Sequence, residues 1–301
     1  MNDSIKVSII CAAYNHEKFI ADALESFVSQ KTDFQYEVIV NDDASTDNTA
    51  SIIREYQEKY PEIVKPIFQK ENQYSRGISV IDIMVNASSG KYIATCEGDD
   101  YWIDERKLQK QVDFMESHPE CSMFGHANNI VKQDGEYLRT RCDCKKGFVN
   151  LINDGGYMHF ATRVAKREVY TTFPAVLTKK YYEGVAYIYY AHALGKVYFD
   201  DTPMSVWRLN ENSVTHSIYL GQEKVKEIVK DYIGFYKRFD SYTKGHFNSG
   251  LQKRSSEQIV DLIQKCVKTL TKNDYRELKK EFGFDALKPK YKLYILVRGI
   301  I

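Results

Sequence analysis

Three carboxylates fall within four residues at Glu97-Gly98-Asp99-Asp100, directly after the apolar run Lys91–Cys96. Gly98 lets the backbone turn tightly there. Carboxylates this dense repel one another unless a cation neutralises them, and Mg2+ or Mn2+ takes oxygen ligands from a protein together with substrate phosphates. The same residues also read as an acidic turn capping the helix that begins near Asp104 and Glu105. A second acidic pair, Asp42-Asp43, follows another apolar run and favours the metal. Two common phosphate cradles are missing. No G-x-G-x-x-G follows the first apolar run and no G-x-x-x-x-G-K-[ST] occurs, which argues against Rossmann hydride transfer and P-loop chemistry.

The elements that must position these groups can be read from periodicity. Ile5–Ala13 and Tyr36–Val40 are continuous apolar runs, as strands buried on both faces are. Glu17–Gln30 has helical spacing through Phe19, Ile20, Ala23, Leu24 and Phe27. Asn48–Tyr60 is a helix that Thr46 or Asp47 can cap and Pro61 ends. Val64–Phe68 is a short strand, Ile78–Ala87 a helix, Lys91–Cys96 a fourth strand and Asp104–Ser117 a further helix. This alternation predicts an α/β fold with a mostly parallel, doubly wound sheet, in which ligands bind at the carboxyl ends of strands. Tyr14-Asn15, Asp42-Asp43 and Glu97/Asp99/Asp100 all follow strands and are expected to converge on one edge. Beyond them come a hairpin turning at Asp134-Gly135, a buried helix Val185–Leu194, and strands Lys196–Phe199 and Ser205–Leu209. Helices Glu223–Phe239, Glu257–Leu270 and Lys272–Phe282 complete the pattern.

The chain of 301 residues is 43% hydrophobic and 13% aromatic, enough to bury the core of one large domain with an appendage. No stretch reaches the roughly 18 apolar residues of a membrane span, and no signal-peptide pattern is read at the N-terminus. A cytoplasmic protein, peripheral at most to the inner face of the cell membrane, is expected. Net charge +1 argues against a dedicated nucleic-acid binder. Residues 221–301 nevertheless carry 18 Lys and Arg against 10 Asp and Glu. The tail Lys288–Ile301 mixes such charges with Leu293–Val297, so it suits either an anionic membrane surface or packing on the preceding helices. Cys11, Cys96 and Cys121 read as buried reduced thiols, and Cys142-Asp143-Cys144 lacks zinc spacing.

Taken in order, Val7-Ser8-Ile9-Ile10 with Tyr14-Asn15, Asn41–Asp47, Ser89-Gly90-Lys91-Tyr92-Ile93 and Glu97–Trp102 resemble the family 2 glycosyltransferases. The usual forms there are V-S-I-I-x-P-x-Y-N, D-D-G-S-T-D, A-x-G-x-Y-I and D-x-D-D. The match spans about residues 4–118, weakens through 121–216 and is lost beyond. Ala12 stands for the usual Pro, Ala44 for Gly and Glu97 for the first Asp. The resemblance implies a glycosyltransferase-A fold, a nucleoside-diphosphate sugar donor (UDP-linked), a divalent cation (Mn2+ or Mg2+) and inversion at the anomeric carbon. It further implies transfer to a glycan or lipid-linked acceptor in surface polysaccharide synthesis. A catalytic domain over 1–218 is expected, with a nucleotide half at 1–118, an acceptor half at 119–218 and a helical extension at 219–301.

Carried onto this chain, the family pattern has Tyr14 stacking on the nucleobase, Ala12 offering it backbone and Asp43 binding base or ribose. Glu97 or Asp99 would meet the ribose, and Asp99 with Asp100 the metal. Glu183, the one acid in Tyr181–Tyr187, is the general-base candidate. Arg208 or His216, and Arg76, would approach phosphate. Trp102 and His159 would border the acceptor, the first as a stacking platform with Tyr101. Two other readings remain: a sugar nucleotidyltransferase, whose G-x-G-T-R is missing, and a non-catalytic binding subunit, for which Asp43, Asp99, Asp100 and Glu183 together have no need.

Overall fold

The structure, a computed structural model, describes residues 4–177, 183–210 and 222–254. Two compact units emerge, residues 1–175 with 183–210 and residues 176–182 with 211–301. The first unit runs β1 (Val7–Ala13), α1 (Ile20–Val28), β2 (Tyr36–Asp42), α2 (Thr49–Lys59), β3 (Val64–Phe68), α3 (Val80–Ala87), β4 (Tyr92–Thr95) and β5 (Tyr101–Trp102). It continues with α4 (Lys107–Ser117), β6 (Cys121–Val131), β7 (Tyr137–Arg141), β8 (Gly147–Val149), β9 (Val164–Lys166), α5 (Glu168–Thr171), α6 (Glu183–Leu194) and β10 (Lys196–Arg208). The second unit contains α7 (Gln222–Tyr242). The described strands form one sheet in the order β3-β2-β1-β4-β9-β6-β10-β5, with β7 on β6 and β8 on β10.

The expected α/β sheet is present. Its half made of β3, β2, β1 and β4 is parallel throughout, and β10 lies parallel to β6. β9, β5, β7 and β8 enter antiparallel. Three residues are too few for periodicity to reveal β9, which is why the sequence reading missed it. The strands expected at Lys196–Phe199 and Ser205–Leu209 are one strand, β10, whose pairing with β6 shifts between Asp200 and Ser205. The helices expected at Glu257–Leu270 and Lys272–Phe282, the tail Lys288–Ile301 and His216 lie outside the described residues. Among the described residues no helix is long and apolar enough to cross a membrane.

β1 is fully enclosed, with Val7, Ile9, Ile10 and Cys11 all inaccessible. Helix α1 packs Ile20, Ala23, Leu24 and Phe27 inward, and Phe27 meets Trp102 edge-on at 4.8 Å. Gly90 lets the chain enter β4 against β1. Its N–H donates to Ser8 Oγ at 2.8 Å, and a Cβ there would collide with the Ser8 backbone. The Ser8 hydroxyl in turn donates to Glu37 at 2.7 Å, a buried carboxylate that Lys65 also pairs.

One charge sits deep in this core. Lys107 is inaccessible, donates to Gln111 Oε1 at 2.8 Å and lies 4.0 Å over the Trp102 ring. Burial pushes its ammonium down to about 7, against weaker opposing pulls from Cys96 and Asp104. Between that value and the ordinary 10.5 the unfolded chain holds a proton that the folded chain lacks, so stability should rise with pH across that window. Lys107→Met should lack this rise. Denaturant titrations of both proteins at pH 7 and 9.5 should show wild type gaining on the variant, and parallel curves would place the charge in water.

Candidate functional site

Pairing brings the three polar clusters together. Ala13 is opposite Asp42 across β1 and β2, Asp43 N–H donates to Ala13 O at 2.9 Å, and Gly98 N–H donates to Ala12 O at 2.9 Å. The chain after β4 therefore continues along the carboxyl end of β1. Gly98 is needed for this approach, because a Cβ would come within 2.9 Å of both His16 Nδ1 and Ile20 Cδ1.

The acidic loop is largely buried. Asp100 is 1% exposed and its Oδ1 accepts from Arg208 N–H at 2.9 Å, while Oδ2 has no hydrogen-bond partner. That oxygen lies 3.6 Å from His159 Nδ1. Ligand atoms of Glu97, Asp100 and His159 all lie within 4.8 Å of one another. Burial, then the charges of Asp99 and Glu97, raise Asp100 well above the usual carboxylate range. Withdrawal from water and the Asp99 carboxylate push Glu97 up to about 7, while Arg163 pulls it back; its outer edge reaches solvent, which tempers the first effect. Burial, helped by Arg163 and Arg141, pushes His159 down to about 3 and leaves it neutral. Its Nδ1 accepts from Ala161 N–H at 3.4 Å, the same ring nitrogen that approaches Asp100.

These residues fit a divalent cation. Two carboxylates that repel each other, one with an orphaned buried oxygen, face a neutral imidazole. The trio differs from the expected pair. Asp100 is in it, but Asp99 turns aside, with Oδ2 3.8 Å from His16 Nε2 and 3.4 Å from Asn210 Nδ2. His159, expected at the acceptor, joins the cluster. Alternation along the chain cannot show this, because Tyr157–Phe160 is an irregular segment brought in from far away.

The other expected site residues divide. Tyr14 is 45% exposed just past β1, with Asn15 in the left-handed region at φ 55°. Asn15 Oδ1 accepts from Thr46 N–H at 2.8 Å, which joins the two loops. Asp43 is buried, and its two oxygens accept from Gln73 and Tyr74 N–H at 2.8 and 3.0 Å. It thereby holds the turn that carries Arg76, whose guanidinium pairs with Glu71 at 2.7 Å. The Ala12 carbonyl is already taken by Gly98. Trp102 corrects an expectation: it is 4% exposed, with Nε1–H donating to Ala161 O at 2.9 Å, so no sugar can stack on it. Arg208 is also withdrawn, pairing with Asp22 at 2.8 Å and donating to Asp99 O at 3.1 Å. Glu183 is the first residue of α6.

Arg163 was not singled out in the sequence. It is inaccessible and, among the described residues, bonds to carbonyls and a phenol: Met158 O from Nε and Nη2, Gly184 O at 2.8 Å and Tyr157 Oη at 3.3 Å. A Cβ on Gly184 would lie 3.4 Å from this guanidinium. The arginine thus ties the start of α6 to the His159 segment, and backbone partners leave no mark in a sequence.

Residues 8–173 match the family described as Glycosyl transferase family 2, and the chain belongs to that family. An uncharacterized protein of Mycobacterium tuberculosis is 34% identical over 229 residues, 73% of this chain and 64% of its own length. The Escherichia coli UDP-Glc:alpha-D-GlcNAc-diphosphoundecaprenol beta-1,3-glucosyltransferase WfaP is 35% identical over 129 residues, 42% of this chain and 47% of its own. Among solved structures, the Pyrobaculum calidifontis mannosyltransferase PcManGT in complex with GDP-Man and Mn2+ superposes with TM-score 0.56 at 15% identity. That superposition covers 98% of this chain and 84% of the other and establishes the shared glycosyltransferase-A fold.

Ala44, where the family pattern has Gly, lies in the left-handed region at φ 63°. An L-residue costs about 1 kcal/mol there, and Gly returns part of that to unfolded-chain entropy. Ala44→Gly should raise the thermal midpoint modestly without altering the fold by circular dichroism; a lowered midpoint would mean that the Ala44 methyl packs usefully.

Proposed function

We propose that this protein is an inverting, metal-dependent glycosyltransferase that moves a sugar from a nucleoside diphosphate, UDP above all, to a glycan or lipid-linked acceptor in surface polysaccharide synthesis. The observation that carries the reading is the cluster of Glu97, Asp100 and His159 at the carboxyl end of β4, in which Asp100 and His159 are buried and Glu97 opens to solvent. Such a site is where an open α/β sheet takes its ligand. The named activity of the E. coli relative supports a UDP donor and a diphosphate-lipid acceptor, and the archaeal neighbour's bound GDP-Man and Mn2+ support the metal.

Glu97, Asp100 and His159 would hold Mn2+ or Mg2+, which when bound neutralises charge on the departing diphosphate. Asp99 lies beside them for the ribose or the metal. Tyr14 offers an exposed ring to the base, and Asp43 stiffens the loop beneath it. Arg76 stands on that loop for phosphate. Glu183 takes the acceptor hydroxyl's proton from the face opposite the leaving group, as inversion requires. Domain limits at 218, attachment of the 219–301 extension to an anionic membrane surface and a cytoplasmic location belong to the same reading.

Asp100→Asn should lose Mn2+-dependent UDP binding, read by calorimetry, while its melting temperature holds or rises because a buried charge is gone. Unchanged binding with unchanged metal dependence would reduce the cluster to a structural turn. Glu183→Gln should keep UDP affinity and lose transfer by on the order of 10²–10⁴, since a base acts on the acceptor. Full transfer by that variant would move the role to another carboxylate.

A further inference from the structure

Successive side chains of a strand point to opposite faces, and at the end of β10 this separates two jobs. Arg208 turns to α1, where it meets Asp22 and lies 4.7 Å over the Phe19 ring. Trp207 turns the other way and stacks on His159, with centroids 4.9 Å apart and planes at 27°. Tyr157 stands edge-on to the same imidazole at 6.5 Å. Arg141, at the end of β7, lies 4.9 Å over Tyr157 and 5.8 Å over Trp207. His159 is 8% exposed, whereas Trp207, Tyr157 and Arg141 are half-buried. The result is an aromatic shelf whose inner end is the candidate metal cluster and whose outer residues are, among the described residues, partly exposed.

Local structure builds this shelf on purpose-suited backbone. Gly155 and Gly156 have φ of 90° and 97°, conformations that favour glycine. A Cβ on Gly156 would come within 2.5 Å of Cys144 Sγ and 3.1 Å of Asp143 O, so the loop between β7 and β8 rests directly on that glycine. This contact sets Arg141 over Tyr157. Arg139 and Arg141 at the end of β7 and Lys145 and Lys146 in the loop outnumber Asp143, with Asp200 and Asp201 of β10 close by. Arg141 shares Asp143 at 2.6 Å, and Lys146 reaches Asp200 at 2.9 Å. A basic rim beside a half-exposed aromatic pair suits a ligand with an apolar ring face and an attached anion.

We propose that Trp207, Tyr157 and Arg141 form the acceptor subsite, which takes a sugar ring on its aromatic faces and the phosphate attached to that sugar on the Arg141 guanidinium. This rests on the glycosyltransferase reading of the adjoining cluster. Asp143 Oδ2 takes the Nε and Nη2 edge of the guanidinium at 2.7 and 2.6 Å, which holds the group in place and leaves Nη1 to meet a phosphate oxygen. Stacking beside His159 would bring the acceptor hydroxyl up to the reaction centre from the side away from Tyr14.

The chain has two tryptophans, and Trp102 is sealed in the core, so ligand-induced fluorescence change reports on Trp207. The full chain is first saturated with UDP and Mn2+, followed by calorimetry, then titrated with N-acetylglucosamine 1-phosphate, with N-acetylglucosamine and with inorganic phosphate. The sugar phosphate should give a saturable change at least fivefold tighter than either part alone. Arg141→Gln should bring the sugar phosphate down to the free sugar by fluorescence, and Trp207→Leu, followed by calorimetry because it removes the reporter, should weaken sugar-phosphate binding at least fivefold, both with UDP–Mn2+ binding retained. The proposal is overturned if the sugar phosphate gives no saturable change, if phosphate alone binds as well, or if Arg141→Gln leaves the preference intact. Absence of UDP–Mn2+ binding in wild type would instead bring down the glycosyltransferase reading, and the subsite with it.

Discussion

Mutual repulsion among Glu97, Asp99 and Asp100 is the constraint around which this unit is organised. Three acids are confined to one tight turn, and Asp100 has been taken almost wholly out of water. Each nearby group answers that cost in its own way. Arg208 spans the loop from outside, giving its backbone N–H to Asp100 and its guanidinium to Asp99 O and Asp22. Arg163 supplies a buried cation close enough to lower Glu97, without a direct ion pair among the described residues. His159 stays neutral and sets its Nδ1 3.6 Å from Asp100 Oδ2. What none of them supplies is a partner for Asp100 Oδ2. A buried oxygen left unpaired costs on the order of 1–3 kcal/mol, more when charged, and a fold keeps such a debt where a ligand can settle it.

The sheet makes this arrangement rigid. Parallel pairing points the carboxyl ends of β2, β1 and β4 the same way, and the chain after β4 runs on beside β1 as far as Ala12. Glycines at 90 and 98 allow the close passages on either side of β4. The second half, with β9 slotted antiparallel between β4 and β6, delivers His159 and Arg163 from a segment some sixty residues beyond the acidic loop. β10, between β6 and β5, closes this end with Trp207 against His159 and Arg208 against Asp22. The side chains around the acidic loop are therefore held by different strands that share a single hydrogen-bonded frame.

The acidic loop, the acidic pair after β2 and the Tyr14-Asn15 turn were legible because they are local: a run of buried strand residues followed by polar ones marks a carboxyl end whatever the rest of the chain does. The ordered motifs carried the family with them, and the parallel half of the sheet followed from strands alternating with helices. Periodicity is a short-range signal, so its reach ended where the elements became short or irregular. It divided β10 at the shift after Asp200 and passed over β9.

Residue types and order thus determined the class of fold, the edge on which the site lies and the presence of a cation-seeking cluster. The tertiary structure decided which side chains complete it. The sequence offered Trp102 as the stacking platform and did not single out Trp207, yet Trp102 donates to Ala161 O inside the core and the half-buried Trp207 stacks on His159. Asp99 and Asp100 are neighbours, yet only Asp100 points to the imidazole. Direction and burial depend on contacts between segments far apart along the chain, and those contacts exist only once the sheet has closed.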